Sequence, residues 1–328
     1  MTSLLSHFKD RRFLWRHVKL ALCIVVVTFI GIFVKENGDQ FKVLLNLSPE
    51  NLVIIICLSL IPPFVNSFRF REIVIFFGGN LCLKEWVGLT FCNTFYNYIF
   101  PGQAGLMLRA LYLKRVHQFG YGNYLFLLGV NWVVNFFVAD VMAFLLTGSL
   151  YFFGNQSQQY IFRIYIISGS FLVATSLIGL VARRKINFDK LNGGGRLMEY
   201  LSEMTKRLRN SPIRLANVAL FQVLFLVAAS IRIHYMLTIF DLDVIFYQVF
   251  MIQILINLSL IISVTPGNIG VSEGIMAYCL SQLGLDMETV FAAMVVDRSA
   301  VMLIFFILGS FFSQRLLSEG KLSNGETT

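Results

Sequence analysis

Val264-Thr265-Pro266-Gly267-Asn268-Ile269-Gly270-Val271-Ser272-Glu273-Gly274 is a proline–glycine break followed by a carboxylate, set among long apolar runs. Proline removes a backbone donor and glycine tolerates positive φ, so an apolar helix cannot pass through this stretch unchanged. A fainter copy lies in the first half: Ile99-Phe100-Pro101-Gly102-Gln103-Ala104-Gly105-Leu106-Met107-Leu108-Arg109. Both read Pro-Gly-x-x-Gly, half a chain length apart.

The surroundings of the two breaks set the class. The chain has 328 residues, of which 57% are hydrophobic and 14% charged. A soluble domain carries about 25% charged residues. A water-soluble fold cannot bury this much apolar chain, so the composition predicts a polytopic membrane protein. Only helices and closed barrels satisfy their backbone inside lipid. The apolar runs are long and do not alternate, which predicts an all-α helix bundle. The net charge of +9 marks cytoplasmic loops in such a protein rather than a nucleic-acid partner. Cys23, Cys57, Cys82, Cys92 and Cys279 are scattered and form no Cys-x-x-Cys, so neither a zinc site nor a disulfide framework is indicated.

Taken in order, the chain opens with a basic segment, 1–19, that the positive-inside rule places in the cytoplasm. A first span follows, Val18–Val34, uncleaved because it ends in Lys35-Glu36-Asn37 without a small-x-small pattern. Leu52–Val65 returns and is kinked or ended by Pro62-Pro63, after which Arg69 and Arg71 mark a cytoplasmic edge. Trp86–Phe100 is shorter than the ~20 residues of a comfortable span. With Leu106–Leu113 it reads as a re-entrant hairpin that enters and leaves on the cytoplasmic side. Tyr124–Phe153 and Tyr160–Ala182 are spans, and the basic stretch 183–214 is the main cytoplasmic loop. Leu215–Phe240 crosses outward, and Val290–Phe312 is the last span. Between them, residues 244–285 form either a hairpin or two crossings. The hairpin would give the two breaks inverted-repeat geometry. The expected division is a basic N-terminus 1–19, a first membrane half 20–182, a cytoplasmic loop 183–214, a second membrane half 215–313 and a cytoplasmic tail 314–328. Both termini then face the cytoplasm, in the cytoplasmic (inner) membrane.

Inside lipid a break survives only where it is packed in protein or lines a polar cavity. A helix restarting after it points free N–H groups and positive dipole into that cavity, where a phosphate head group fits. Gly102, Gly105, Gly267 and Gly270 are therefore candidate binding positions. Intramembrane ionisable groups are costly and usually face a partner or a pathway. Arg109, Asp140, Arg232, Glu273 and Arg298 are the candidates, the arginines for phosphate because their planar fork donates two hydrogen bonds at once. Blander readings stand beside these. Asp140 and Arg232 can form a structural ion pair, Arg109 can snorkel to the membrane edge with Lys114 and Arg115, and Gln253 with Asn257 can be interhelical glue. No Gly-rich nucleotide loop, Ser-His-Asp set or His/Cys cluster is present, so no metal, cofactor or catalytic residue is assigned.

Pro266–Gly274 resembles the "PGGLGVREG" signature of the lysylphosphatidylglycerol synthase transmembrane family, and Pro101–Ala110 resembles its earlier "PxRxGExxRA" segment. Arg298 falls where that family often has an arginine in its final spans. The resemblance covers residues 17–315. Leu106 stands in place of the family's usual glutamate and Gln103 in place of its usual arginine. The soluble aminoacyl-transferase domain of the full synthases is not matched, so the resemblance implies the flippase-like membrane module rather than synthase activity. Members of this type are thought to move aminoacylated phospholipids or are associated with polyprenyl- or glycolipid pathways. A homodimer is a further implication of the resemblance.

The expected function is a lipid translocator that handles a phosphate-bearing head group, with membrane lipids as its partners. The alternative is a membrane-embedded transferase, or an accessory subunit working with enzymes of envelope-lipid assembly. The transferase would need Glu273 as its acceptor carboxylate. Glu273 and Arg109 are expected to approach each other across the cavity.

Overall fold

The computed structural model describes residues 48–100, 103–153, 211–259, 266–268 and 270–322. The expected spans Val18–Val34 and Tyr160–Ala182, most of the basic loop, and Gly102 lie outside the described residues. The described residues form eight α-helices and one 3-10 turn, with no strand among them. In chain order the helices are α1 (Pro49–Phe76), α2 (Leu83–Ile99), α3 (Ala104–His117), α4 (Tyr121–Phe153), α5 (Pro212–Ile239), α6 (Phe246–Ser259), α7 (Val271–Ser281) and α8 (Met287–Leu322). The 3-10 turn, Pro266–Asn268, lies between α6 and α7.

Four helices, α1, α4, α5 and α8, are long and apolar enough to cross a membrane. Of the other four, α2 has 17 residues, α3 has 14 and α7 has 11, and at 1.5 Å per residue these three fall short of the ~30 Å hydrocarbon core. The described part of α6 is Phe246–Ser259, and 260–265 lie outside the described residues. The helices α2 and α3 flank the first break, and α6 and α7 flank the second. The protein is thus an all-helical, multi-pass membrane protein in which each break adjoins at least one short helix.

Two expected boundaries differ. The prolines do not end α1; it runs through the buried Pro62 and Pro63 to Phe76. Two adjacent prolines remove only two backbone donors, and the Ser67 hydroxyl donates to the Pro63 carbonyl at 2.8 Å. Arg69 and Arg71 therefore stand on a continuous helix rather than in an edge loop. At the other end, α8 continues past Phe312 to Leu322.

Lipid tails are as apolar as leucine, so helices in a bilayer associate through close van der Waals fit rather than through expulsion of water. The closest pair here is α2 with α8. Two glycines permit it. A Cβ on Gly309 would lie 2.5 Å from the Phe95 Cβ, and one on Gly88 would lie 2.8 Å from the Phe312 ring. Phe91, fully buried between them, packs against Phe64 of α1 and against Phe305 and Phe312 of α8. The described residues from Val53 onward form one compact unit, so helices from both halves of the sequence pack together there. α2 stands at the centre, and both breaks are built against it.

Candidate functional site

At the first break, α2 stops at Ile99 and α3 starts at Ala104, with Gln103 in the left-handed region (φ 57°, ψ 43°). The Gly105 amide then donates to Asn97 Oδ1 at 2.9 Å. A Cβ on Gly105 would lie 2.0 Å from the Asn93 carbonyl oxygen, so the first turn of α3 lies directly on the α2 backbone. At the second break, Gly267 (φ 61°) and Asn268 (φ 60°) turn the chain, and Gly270 (φ 85°) precedes α7. The Asn268 amide nitrogen donates to Ser259 Oγ at 3.2 Å and to Ser272 Oγ at 3.0 Å, tying the turn to the helices on either side. A Cβ on Gly267 would lie 2.3 Å from the Tyr98 ring. Each break thus rests on the C-terminal part of α2.

Between them lies a cavity of about 350 Å³, within the ~300–1,000 Å³ of ligand sites. Gln103, Gly267 and Asn268 line it from the two breaks. Its walls come from α1 to α6 and α8, and they are amide-rich. Asn66 of α1, Asn93 and Asn97 of α2, and Asn131 and Asn135 of α4 face it, with Asn257 of α6. Three arginines face it too: Arg69, Arg109 and Arg298. No carboxylate is among the described lining residues.

The three arginines differ in what holds them. Arg298 Nε donates to Glu273 Oε1 at 2.7 Å, and its Nη1 donates to the Tyr98 hydroxyl at 3.1 Å. The other oxygen of Glu273 takes the Gly270 amide at 2.7 Å, the reach-back arm of a capping box. Both oxygens of this buried carboxylate are therefore engaged, and Arg298 is charge-compensated. Arg109 is only 7% exposed. Its guanidinium lies 3.9 Å over the Phe70 ring, its Nη2 donates to the Leu89 carbonyl at 3.4 Å, and its Nε has no partner. Arg69 donates through Nη2 to Asn66 Oδ1 at 2.7 Å, while its buried Nε and Nη1 have no partner. Neither Arg69 nor Arg109 meets a carboxylate among the described residues.

The residues expected from sequence divide accordingly. Arg109, Gly267 and Arg298 line the cavity. Gly105, Gly270 and Glu273 stand just behind it, shaping the breaks and holding Arg298. Asp140 and Arg232 lie apart from it. Arg232 is paired with Asp297, not with Asp140, because α5 packs on α8 at that level. Glu273 takes Arg298 as its partner, not Arg109. Adjacent Asp297 and Arg298 point to different neighbours, as residues about 100° apart on a helix must. Sequence reasoning missed Arg69, Tyr98 and most of the asparagines. One signal for them was present: Asn93 with Asn97, and Asn131 with Asn135, are four apart, which puts each pair on one face of an apolar helix.

Long apolar helices around two helix breaks and a polar cavity define a multi-pass helical membrane protein. The sequence model of the family described as Lysylphosphatidylglycerol synthase TM region matches residues 17–309, and the chain belongs to that family. No curated protein matches the chain. The family links the chain to the handling of phospholipid head groups.

Proposed function

We propose that the protein is a flippase-type translocator that carries a phosphate-bearing lipid head group through the cavity between the two breaks. The observation behind this reading is that Arg69 and Arg109, whose buried guanidinium nitrogens meet no carboxylate among the described residues, share one cavity with both helix breaks. Buried cations without counter-ions are costly, and an anionic ligand compensates them. The amides offer hydrogen bonds without adding charge, so a head group could exchange water for protein contacts on entry. The acyl chains would remain in the bilayer, and α2–α3 and α6–α7 would act as re-entrant pairs of an inverted repeat. The transferase alternative needs a carboxylate able to act on an acceptor. Glu273, the candidate for that role, has both oxygens engaged, which favours transport.

Purified protein in liposomes provides the test. Accelerated movement of a phosphate-bearing lipid between leaflets is expected, with loss of most of that acceleration in Arg109→Gln. A folded wild-type protein that moves none of the phospholipids offered would sink the proposal.

A further inference from the structure

We infer that the cavity selects a phosphate ester whose head carries neutral hydroxyl groups, and discriminates against a head that carries a cation. The inference rests on the lipid-handling reading of the cavity and narrows its substrate class.

Two sets of unmet hydrogen-bonding groups carry it. The first is a set of donors: Nε and Nη1 of Arg69 and Nε of Arg109 are buried with no partner among the described residues. Guanidinium donors call for anionic oxygens, and a phosphate presents these in matching geometry. The second is a set of acceptors: Oδ1 of Asn93, Asn257 and Asn268 are buried without partners. All five of these residues line the same cavity. Amide oxygens call for hydroxyl or N–H donors.

An ammonium would satisfy the amide oxygens as well as a hydroxyl does, so charge decides. Glu273 neutralises Arg298, which leaves Arg69 and Arg109 without a carboxylate among the described residues. No described lining residue offers a carboxylate to an ammonium. An uncompensated arginine within ~8 Å at the effective dielectric of a protein disfavours a second cation by roughly tenfold or more. A phosphate with glycerol-like or sugar-like hydroxyls matches both sets; an aminoacylated head brings a positive charge with nothing to meet it.

The test measures binding to the purified full chain in neutral detergent. The probes are dihexanoyl phosphatidylglycerol, its lysyl ester, dihexanoyl phosphatidylcholine and free glycerol 3-phosphate. The expected ranking puts phosphatidylglycerol at least about tenfold tighter than both the lysyl ester and phosphatidylcholine. A lysyl ester that binds as tightly as phosphatidylglycerol overturns the inference. Glycerol 3-phosphate binding as tightly as the lipid keeps the head-group chemistry but assigns it to a soluble ester, against the lipid reading. Arg69→Gln should weaken phosphatidylglycerol binding about tenfold to a hundredfold, and unchanged binding counts against the proposal. Asn131→Asp, which adds a carboxylate to the lining, should shift the ranking toward the lysyl ester by about tenfold. An unmoved ranking in that variant also counts against it. Liposome transport separates the two levels of argument. Binding in the expected order without transport removes the translocator reading alone, and transport without the expected order removes this inference alone.

Discussion

Four of the described residues at the breaks have positive φ: Gln103, Gly267, Asn268 and Gly270. A side chain costs about 1–2 kcal/mol there, so glycine is the low-strain choice, yet two positions carry amides that face the cavity. The glycines differ in what a methyl group would meet, and this orders their substitutions. Gly105→Ala strikes the Asn93 main chain, which cannot swing aside, and should cost about 3 kcal/mol or more. Gly267→Ala adds φ strain and displaces the Tyr98 ring, for about 2–3 kcal/mol. Gly270→Ala meets open space and should cost only the strain, about 1 kcal/mol. Thermal unfolding in detergent reads the order, and Gly129→Ala, exposed in the interior of α4 with nothing near its Cβ, is the control, expected to lose nothing and to gain about 0.5–1 kcal/mol of helix propensity. An equal loss at Gly105 and Gly270 would show that the close approach to Asn93 carries no weight. The glycines were legible in the sequence because a break needs them whatever surrounds it. Arg69 was not. Two arginines after two prolines read as a membrane edge, and only the continuation of α1 and its packing show that one of them turns inward.

Among the elements, the four long helices follow directly from apolar length, and their existence was legible in composition and run length alone. The pairing of short helices was legible at the first break, where the run before Pro101 is visibly too short. At the second, Val244–Val264 reads as one long segment; the described helix covers Phe246–Ser259 of it, and only the 11-residue α7 after the break is visibly short. The start of α8 illustrates how local chemistry sets an end. Asp286 accepts the Thr289 amide at 2.8 Å and also the Thr289 hydroxyl. Those hydrogen bonds, the hydroxyl foremost, hold the exposed carboxyl below its ordinary value. A depressed carboxyl stabilises the folded end above the unfolded pKa of ~3.9 and loses that effect as pH falls through the folded value. Asp286→Ala should therefore speed hydrogen exchange over residues 287–290 at pH 7, and the difference from wild type should shrink as pH falls through the lowered folded value of Asp286 and disappear in strong acid. A difference that persists in acid would mean that the carboxylate is not the cap.

For the whole molecule, the sequence divides into two halves and the structure joins them. Tyr98 lies in the first half, and Glu273 and Arg298 in the second, yet the three form one connected group. Which partners meet could not be read from the chain. Charges far apart in sequence offer several pairings, and the choice falls to helix packing that composition does not encode. Arg232 with Asp297, and Arg298 with Glu273, are both outcomes of that packing. Removing either side of the Glu273–Arg298 pair leaves an uncompensated buried charge, so Glu273→Gln and Arg298→Gln should each cost about 3 kcal/mol. The double variant should cost about 1–3 kcal/mol less than the sum. Strict additivity in thermal unfolding would mean that the pair does not hold the second break to α2 and α8.

The two prolines within α1 leave the carbonyls of Leu58 and Ser59 without the amide donors that a regular helix would supply. Within the next three turns stand Asn66, Arg69, Phe70 and Ile73, all on the cavity wall. A helix bends most cheaply where its own ladder is already interrupted. A few degrees of bending at Pro62-Pro63 would change the separation of Arg69 and Arg109, because Gly88, Gly105 and Gly309 hold α2, α3 and α8 closely against one another while this part of α1 has no such glycine contact.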